Sequence, residues 1–204
     1  MHKKTLPSIH NFKLDIDLKK LQQATDTLAE KFVDVKTANP MLCDNHMELV
    51  AHVYDNFEQI NLTTPSEILP YTTSIKERLK RKEEHLYNVP TEDYKNSYFE
   101  QVVTQLKSPA SRIRITKLAP GKNIPFHVDY DVSYAVRCIV PIYGDKQVIN
   151  LFKREDKLEA FNLENGNAYL LNIGYPHAVV NMSNKPRIAL MFSLNGTDDL
   201  DGLV

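Results

Sequence analysis

The sequence predicts a mostly β protein with a helical N-terminal part, in which an antiparallel barrel or jelly roll is flanked by helices. Three observations support this fold class. Apolar residues recur at helical spacing before residue 108, alternating or fully apolar runs begin after Pro109, and turn residues separate those runs at nearly regular intervals. We therefore expect residues 1–108 to form a helical segment packing on the barrel and residues 109–204 to form the β core, within one structural domain.

The composition indicates an ordinary globular protein. Of 204 residues, 42% are apolar and 25% are charged, and the formal net charge is -1. This charge balance gives no sign of binding to nucleic acid or to an anionic membrane surface. No apolar run approaches the roughly 20 residues of a membrane-spanning helix, and no apolar leader follows the N-terminal lysines, so we expect a cytoplasmic protein. Cys43 and Cys138 are expected to be two buried thiols, with a disulfide as the less favoured alternative.

Four stretches of the N-terminal part show helical periodicity. The first is 17–35, for which Asp15 or Asp17 is a candidate N-cap, and the second is 44–57. Ser74 opens a capping box with Glu77, which predicts a charged helix to about residue 85. Thr91 is the candidate cap of a fourth helix, whose apolar side extends to Leu106.

The C-terminal part contains seven strand-like runs, at 111–118, 134–143, 146–152, 158–163, 167–173, 177–182 and 187–194. Gly144-Asp145 lies between two of these runs and predicts a β-hairpin there. The other turns contain Asn165-Gly166, Gly174-Tyr175-Pro176 and the segment 183–186.

The residues that suggest chemistry lie in this β part. His127 and Asp129 are two apart, and on a strand such residues project from the same face. His177 is the only other histidine in this half of the chain, and it begins a strand after a turn. Two imidazoles and one carboxylate are typical of the iron(II) site of non-haem oxygenases. These three ligands leave coordination positions on the iron open for a co-substrate and dioxygen. Zinc binds the same donor types, and the sequence leaves that alternative open.

Two arginines occupy strands that are otherwise apolar. Arg187 begins the last strand, ten residues after His177, and Arg137 shares a predicted face with Ile139 and Pro141. A buried guanidinium is costly unless it meets an anion, and its planar fork suits a carboxylate. The alternative for each arginine is a side chain that reaches solvent from an edge strand.

Taken in order, these motifs resemble a known family. His127-x-Asp129, Arg137 before Val140-Pro141-Ile142, the segment 177–181 and Arg187-Ile188-Ala189-Leu190 are similar to the aspartyl/asparaginyl β-hydroxylases, which are iron(II)- and 2-oxoglutarate-dependent oxygenases near the proline hydroxylases. The similarity covers roughly residues 111–193. It implies a double-stranded β-helix (a cupin-like jelly roll) as the catalytic core.

The resemblance also implies roles for individual residues. Iron(II) would be held by His127, Asp129 and His177, the C5 carboxylate of 2-oxoglutarate by Arg187, and a carboxylate of the substrate or co-substrate by Arg137. The expected activity is a dioxygenase that hydroxylates a C–H bond of an amino acid or a peptide side chain. Two alternatives remain open: a cupin-like metal-binding barrel that does not use 2-oxoglutarate, and a barrel that has lost catalysis and acts as a binding module.

Overall fold

The strands of the β part lie close to the predicted runs. In the computed structural model, which describes residues 6–39, 57–70 and 72–194, this part contains β6 to β13 in chain order. They are β6 Ala110–Leu118, β7 Asn123–His127, β8 Val136–Tyr143, β9 Val148–Arg154, β10 Lys157–Phe161, β11 Ala168–Leu171, β12 His177–Asn181 and β13 Arg187–Leu194. All seven predicted strands are confirmed, and β7, which leads into the His-x-Asp motif, is an eighth.

The N-terminal part contains short strands as well as helices. Its strands are β1 Ile9–Phe12, β2 Val33–Asp34, β3 Phe57–Asn61, β4 Thr63–Thr64 and β5 Val89–Pro90. Its helices are α1 Leu18–Asp26, α2 Val35–Ala38, α3 Ile75–Lys80, α4 Glu83–Leu86 and α5 Tyr98–Val103. Within the described ranges, no helix has the length and apolar character needed to span a membrane.

The main strands form two antiparallel sheets. The larger has the order β1-β11-β8-β13-β6-β3-β2, and the smaller has the order β10-β9-β12-β7. Strands that follow one another in the chain often lie in different sheets, as expected for a jelly roll. This arrangement confirms the predicted fold class of a mostly β protein with helices flanking two antiparallel sheets.

The hairpin predicted at Gly144-Asp145 is wrong. Strand β8 pairs with β11 and β13 in the larger sheet, whereas β9 pairs with β10 and β12 in the smaller one. Gly144-Asp145 therefore carries the chain from one sheet to the other. A short turn between two apolar runs can form either a hairpin or a connection between two sheets. The pairing of distant strands decides which of the two forms.

The helical predictions are correct in part. Asp17 caps α1 by accepting hydrogen bonds from the amides of Lys19 and Lys20, but the helix ends at Asp26 and the chain continues into a 3₁₀ turn and β2. Ser74 accepts from the Glu77 amide at 3.3 Å as the capping box predicts. The helix it opens is interrupted at Lys82, which adopts a left-handed φ of 51°.

The last predicted helix starts later than expected. It begins at Tyr98 with Ser97 as its cap, so the assignment of Thr91 as the N-cap is wrong. The second predicted helix, 44–57, lies outside the described residues except for Phe57, which begins β3. Cys43 also lies outside them, so the prediction about the two thiols stays a prediction, although Cys138 is fully buried.

The N-terminal part is built into the β core. Strand β1 pairs with β11 and strand β3 pairs with β6, so the larger sheet contains strands from both parts of the chain. The predicted helical segment 1–108 is therefore correct only in part, because this stretch of the chain also contains strands. The boundary at residues 108 and 109 stays a prediction.

The larger sheet separates two apolar layers. Along β8, Val136, Cys138, Val140 and Ile142 belong to a core that includes residues of α1 and α5. The alternate residue Ile139 belongs to a second cluster with Phe152 of the smaller sheet. Both faces of β8 are thus buried, which explains its continuous apolar run. The space between the two sheets opens into the pocket described next.

Candidate active site

A pocket that is open to solvent lies between the two sheets. Its polar lining residues are unusually rich in groups that bind metals and anions: Arg114, His127, Asp129, Arg137, Asn150, His177 and Arg187. Apolar residues such as Phe152 and Ile173 complete the wall. A concave, mostly apolar site with a few converging polar groups is the usual form of a small-molecule site.

Two neighbouring strands bring the histidines together. His127 ends β7 and lies opposite His177 at the start of β12 in the antiparallel register. Their ring centroids are 4.2 Å apart. His177 also stacks on Phe152 of β9, at 5.7 Å between ring centroids. The imidazoles therefore share one end of the smaller sheet.

Asp129 completes the group from the segment that follows β7. Its amide donates to the carbonyl of Ile173 at 3.1 Å, which fixes the backbone beside the other sheet. Its Oδ1 atom is 3.6 Å from His127 Nε2. One donor atom from each of His127, Asp129 and His177 lies within 4.8 Å of the other two.

Hydrogen bonds give both imidazoles the same tautomer. His127 Nδ1 donates to the carbonyl of Pro125 at 2.8 Å, and His177 Nδ1 donates to the carbonyl of Tyr175 at 3.0 Å. A carbonyl can only accept, so each Nδ1 carries a proton, and Nε2 is the nitrogen of each ring that is left to face the pocket. Burial lowers the pKa of His177 to about 4, which keeps this imidazole neutral. Imidazoles held from behind in this way are suited to ligate a metal through Nε2.

The donor set fits a divalent transition metal. Two nitrogen donors and one carboxylate oxygen can occupy one face of an octahedron, which leaves the positions toward the pocket for other ligands. The three residues would therefore hold the iron(II) that this donor pattern suggests.

Arg187 is a buried cation in the same pocket. It is 5% exposed, and its Nη1 atom donates to Thr116 Oγ1 at 3.4 Å. None of the ion pairs among the described residues includes Arg187. Burial lowers its pKa to about 10, so it stays charged at neutral pH. The guanidinium is thus available to an anionic ligand.

Arg137 lies on the pocket wall but already has an anionic partner. Its Nη2 atom is 2.9 Å from Glu84 Oε1 and 3.6 Å from Asp129 Oδ2. Its buried Nε atom has no hydrogen-bond partner among the described residues. The chain itself thus supplies an anion to Arg137 through Glu84, and the binding of a substrate or co-substrate carboxylate at Arg137 stays a prediction.

Sequence reasoning missed Glu84. This residue of α4 is fully buried, and its carboxylate also pairs with Arg112 and accepts from Ser193 Oγ at 2.7 Å. Burial would raise the pKa of Glu84, but the charges of Arg112 and Arg137 outweigh it and hold the pKa well below the usual range. Glu84 lies in a charged helical stretch, whose composition suggests a solvated face and gives no signal of burial.

Arg114 and Thr116 of β6 were also missed. Arg114 is 7% exposed and lines the pocket, and Thr116 is completely buried. Burial and the neighbouring charges of Arg137 and Arg112 lower the pKa of Arg114. The alternation in 111–118 contained the signal, because Arg114 and Thr116 share one strand face. Both side chains are buried, and Arg114 lines the pocket.

Comparisons with solved structures agree with the fold. A prolyl hydroxylase from Trichoplax adhaerens, solved with a peptide fragment of the hypoxia inducible factor oxygen degradation domain, is 9% identical with a TM-score of 0.53, over 94% of this chain and 85% of that one. A Pseudomonas putida prolyl-4-hydroxylase is 10% identical with a TM-score of 0.48, over 92% of this chain and 91% of that one. At such identities the first structure shows the shared fold alone.

The family comparison is more specific. No curated protein sequence matches the chain. The model of the family described as Aspartyl/Asparaginyl beta-hydroxylase matches residues 75–196, which is more than half of the chain and includes α4 and the strands β6 to β13. This range agrees with the resemblance seen in the motifs and extends it toward the N-terminus. The chain belongs to the aspartyl/asparaginyl β-hydroxylase family.

Proposed function

We propose that this protein is an iron(II)- and 2-oxoglutarate-dependent dioxygenase that hydroxylates a C–H bond of a carboxylate-bearing substrate, either an amino acid or a peptide side chain. The observation that carries the proposal is the presence, in one pocket, of a two-histidine, one-carboxylate donor set and a buried arginine that has no counter-anion among the described residues. With dioxygen as the oxidant and 2-oxoglutarate as the source of two electrons, the iron would supply the chemistry that inserts one oxygen atom into an unactivated C–H bond.

The chain's own residues would position these groups. His127, Asp129 and His177 would hold the iron through Nε2 and carboxylate atoms, and the Nδ1 bonds keep the rings from turning. Arg187 would bind the C5 carboxylate of 2-oxoglutarate, and the Thr116 hydroxyl, which accepts from Arg187 Nη1, would orient the guanidinium group. Apolar wall residues such as Phe152 and Ile173 would limit the access of water.

The substrate proposal rests on the remaining positive charge. Besides Arg187, the pocket wall contains Arg137 and Arg114, and only Arg137 has carboxylate partners in the described part of the chain. A substrate carboxylate could bind Arg137 with support from Arg114, because both guanidinium groups reach the pocket. The Trichoplax adhaerens prolyl hydroxylase was solved with a peptide, which is consistent with a peptide or an amino acid here.

An anaerobic reconstitution followed by turnover tests this function. The protein loaded with iron(II) should convert 2-oxoglutarate to succinate slowly alone and faster with its substrate, so a panel of amino acids and peptides identifies the substrate class. Each positive compound is then compared with its amide, which lacks the carboxylate and should lose most of the stimulation. Metal binding without succinate formation would favour a cupin-like site that does not use 2-oxoglutarate. If the protein binds no metal and forms no succinate, a non-catalytic binding module is favoured.

A further inference from the structure

A row of alternating charges leads from helix α4 to the candidate metal ligands. Arg112 Nη1 is 2.5 Å from Glu84 Oε2, and Glu84 Oε1 is 2.9 Å from Arg137 Nη2. The same Nη2 atom is 3.6 Å from Asp129 Oδ2. The other oxygen of Asp129, Oδ1, is 3.6 Å from His127 Nε2. The buried carboxylate of Glu84 is thus connected to the metal ligands through one guanidinium group.

The distances show that Glu84 and Asp129 share Arg137 unequally. Glu84 is within hydrogen-bond range of Nη2, whereas Asp129 is beyond it. Glu84 is itself held by the Ser193 hydroxyl, and the Glu84 amide donates to the Tyr134 hydroxyl at 3.1 Å. Arg137 is therefore fixed mainly by Glu84 and only orients the distal oxygen of Asp129.

Burial of the Glu84 charge is energetically costly. A carboxylate that is 0% exposed is strongly unfavourable unless its partners compensate fully. Apolar residues in place of Glu84 and its two arginine partners together would avoid this cost. The position of the charge, one guanidinium away from the donor set, suggests that it contributes to the site and not only to packing.

We propose that Glu84 is a positioning residue for the metal site, which acts by keeping Arg137 from pairing closely with Asp129. If residue 84 were neutral, Asp129 would become the nearest negative charge to Arg137. A closer Arg137–Asp129 pair would turn the carboxylate away from the histidines and weaken it as a metal donor. This inference rests on the proposed function, since it requires that His127, Asp129 and His177 hold a metal.

The test measures metal affinity, not turnover. Cobalt(II) is titrated into the protein by calorimetry, and its visible absorption reports the coordination. Glu84→Gln keeps the size of the side chain and removes the charge, and it should weaken cobalt binding by roughly tenfold to a hundredfold, the usual effect of residues that orient ligands. The absorption bands should shift as well.

Glu83→Gln is the matched control. Glu83 precedes Glu84 in the same helix and forms an ion pair at 3.1 Å with Arg78, whose side chain is 3% exposed. Loss of either ion pair should lower the melting temperature. Only Glu84→Gln should change the cobalt affinity and the absorption spectrum. If the role of Glu84 is purely structural, neither variant should change them.

The route through Arg137 is tested by a double-mutant cycle. In an Arg137→Gln background, Glu84→Gln should cause no further loss of cobalt affinity, because the guanidinium that it restrains is gone. An equal loss in both backgrounds overturns the proposal, as does an unchanged affinity of Glu84→Gln alone. If Glu84→Gln does not fold, Glu84→Asp, which keeps the charge but withdraws it from Arg137, is measured with the same expectation. Failure of the unmodified protein to bind cobalt overturns the proposed function as well.

Discussion

At the scale of single residues, His127 and His177 are equivalent in their backbone hydrogen bonds. Each ring donates from Nδ1 to the carbonyl two residues before it. Each of these hydrogen bonds joins residues two apart in the chain, so it forms locally at a strand end or a turn and requires no contact with distant residues. It presents both Nε2 atoms to the same space, where Asp129 adds a carboxylate.

Alanine at His127, Asp129 or His177 is expected to abolish metal binding and succinate formation while the fold remains intact. One lost donor leaves two, too few for a tight site, and all three side chains border the pocket instead of filling the core. Calorimetric titration with iron(II) without oxygen, a succinate assay and circular dichroism measure the three properties. His10→Ala in β1 is the control and should behave as the unmodified protein. Full turnover by all three variants would show that the metal is held elsewhere.

Arg187→Ala is expected to raise the KM for 2-oxoglutarate with little change in iron affinity. Loss of a buried charge-assisted pair costs about 2–5 kcal/mol, which corresponds to roughly 30-fold to several thousand-fold in KM. Arg187→Lys keeps the charge without the planar fork and should give an intermediate value. Arg81→Gln, at an exposed ion pair with Glu67, is the control. An unchanged KM in Arg187→Ala would assign the C5 carboxylate to another group.

At the scale of elements, the contact between α1 and the barrel depends on a turn. Gly166 precedes β11 with a φ of +83°, and its amide donates to the carbonyl of Pro141 at 2.9 Å. A Cβ atom built there would lie 3.3 Å from Leu18 Cβ, at the start of α1. The turn therefore needs glycine for its conformation and for the close approach of the helix.

Gly166→Ala is expected to destabilise the protein more than Gly121→Ala. Both glycines have positive φ, which costs an alanine about 1–2 kcal/mol. Nothing lies within 4 Å of a Cβ built at Gly121, so only Gly166→Ala adds a clash with Leu18. Urea unfolding of the two variants measures the difference. Equal losses would mean that α1 moves away from the barrel at negligible cost.

At the scale of the whole molecule, the N-terminal part is needed to complete the sheet. Strand β1 covers the edge of β11, β3 covers the edge of β6, and Glu84 neutralises Arg137 inside the core. Without residues 1–108, two strand edges would be unpaired and Arg137 would lose its partner. Unpaired edges and buried unpaired charges are both strongly unfavourable.

Residues 109–204 expressed alone are therefore expected not to fold. Circular dichroism and the dispersion of amide resonances should show an unfolded or aggregated chain, whereas the full chain shows cooperative melting. The full chain at the same concentration is the control. A cooperatively folded fragment would mean that the β part is a domain of its own.

The sequence alone determined the properties that depend on short spacings. Strand periodicity located the seven runs of the β part to within a few residues, because alternate residues on a strand face opposite environments. The His-x-Asp spacing and the isolated His177 and Arg187 indicate a site without reference to the fold. The caps at Asp17 and Ser74 followed from hydrogen bonds between residues two or three apart.

The tertiary structure alone decided what depends on contacts between distant residues. Gly144-Asp145 crosses between sheets because β8 pairs with β11 and β13, a choice that no local pattern contains. Glu84 is buried because Arg137, 53 residues further along the chain, lies opposite it. A glutamate in a charged helix has the same sequence pattern whether it faces solvent or forms a buried ion pair. Only the packing of α4 against the larger sheet distinguishes the two, and this packing makes Glu84 a neighbour of the candidate metal site.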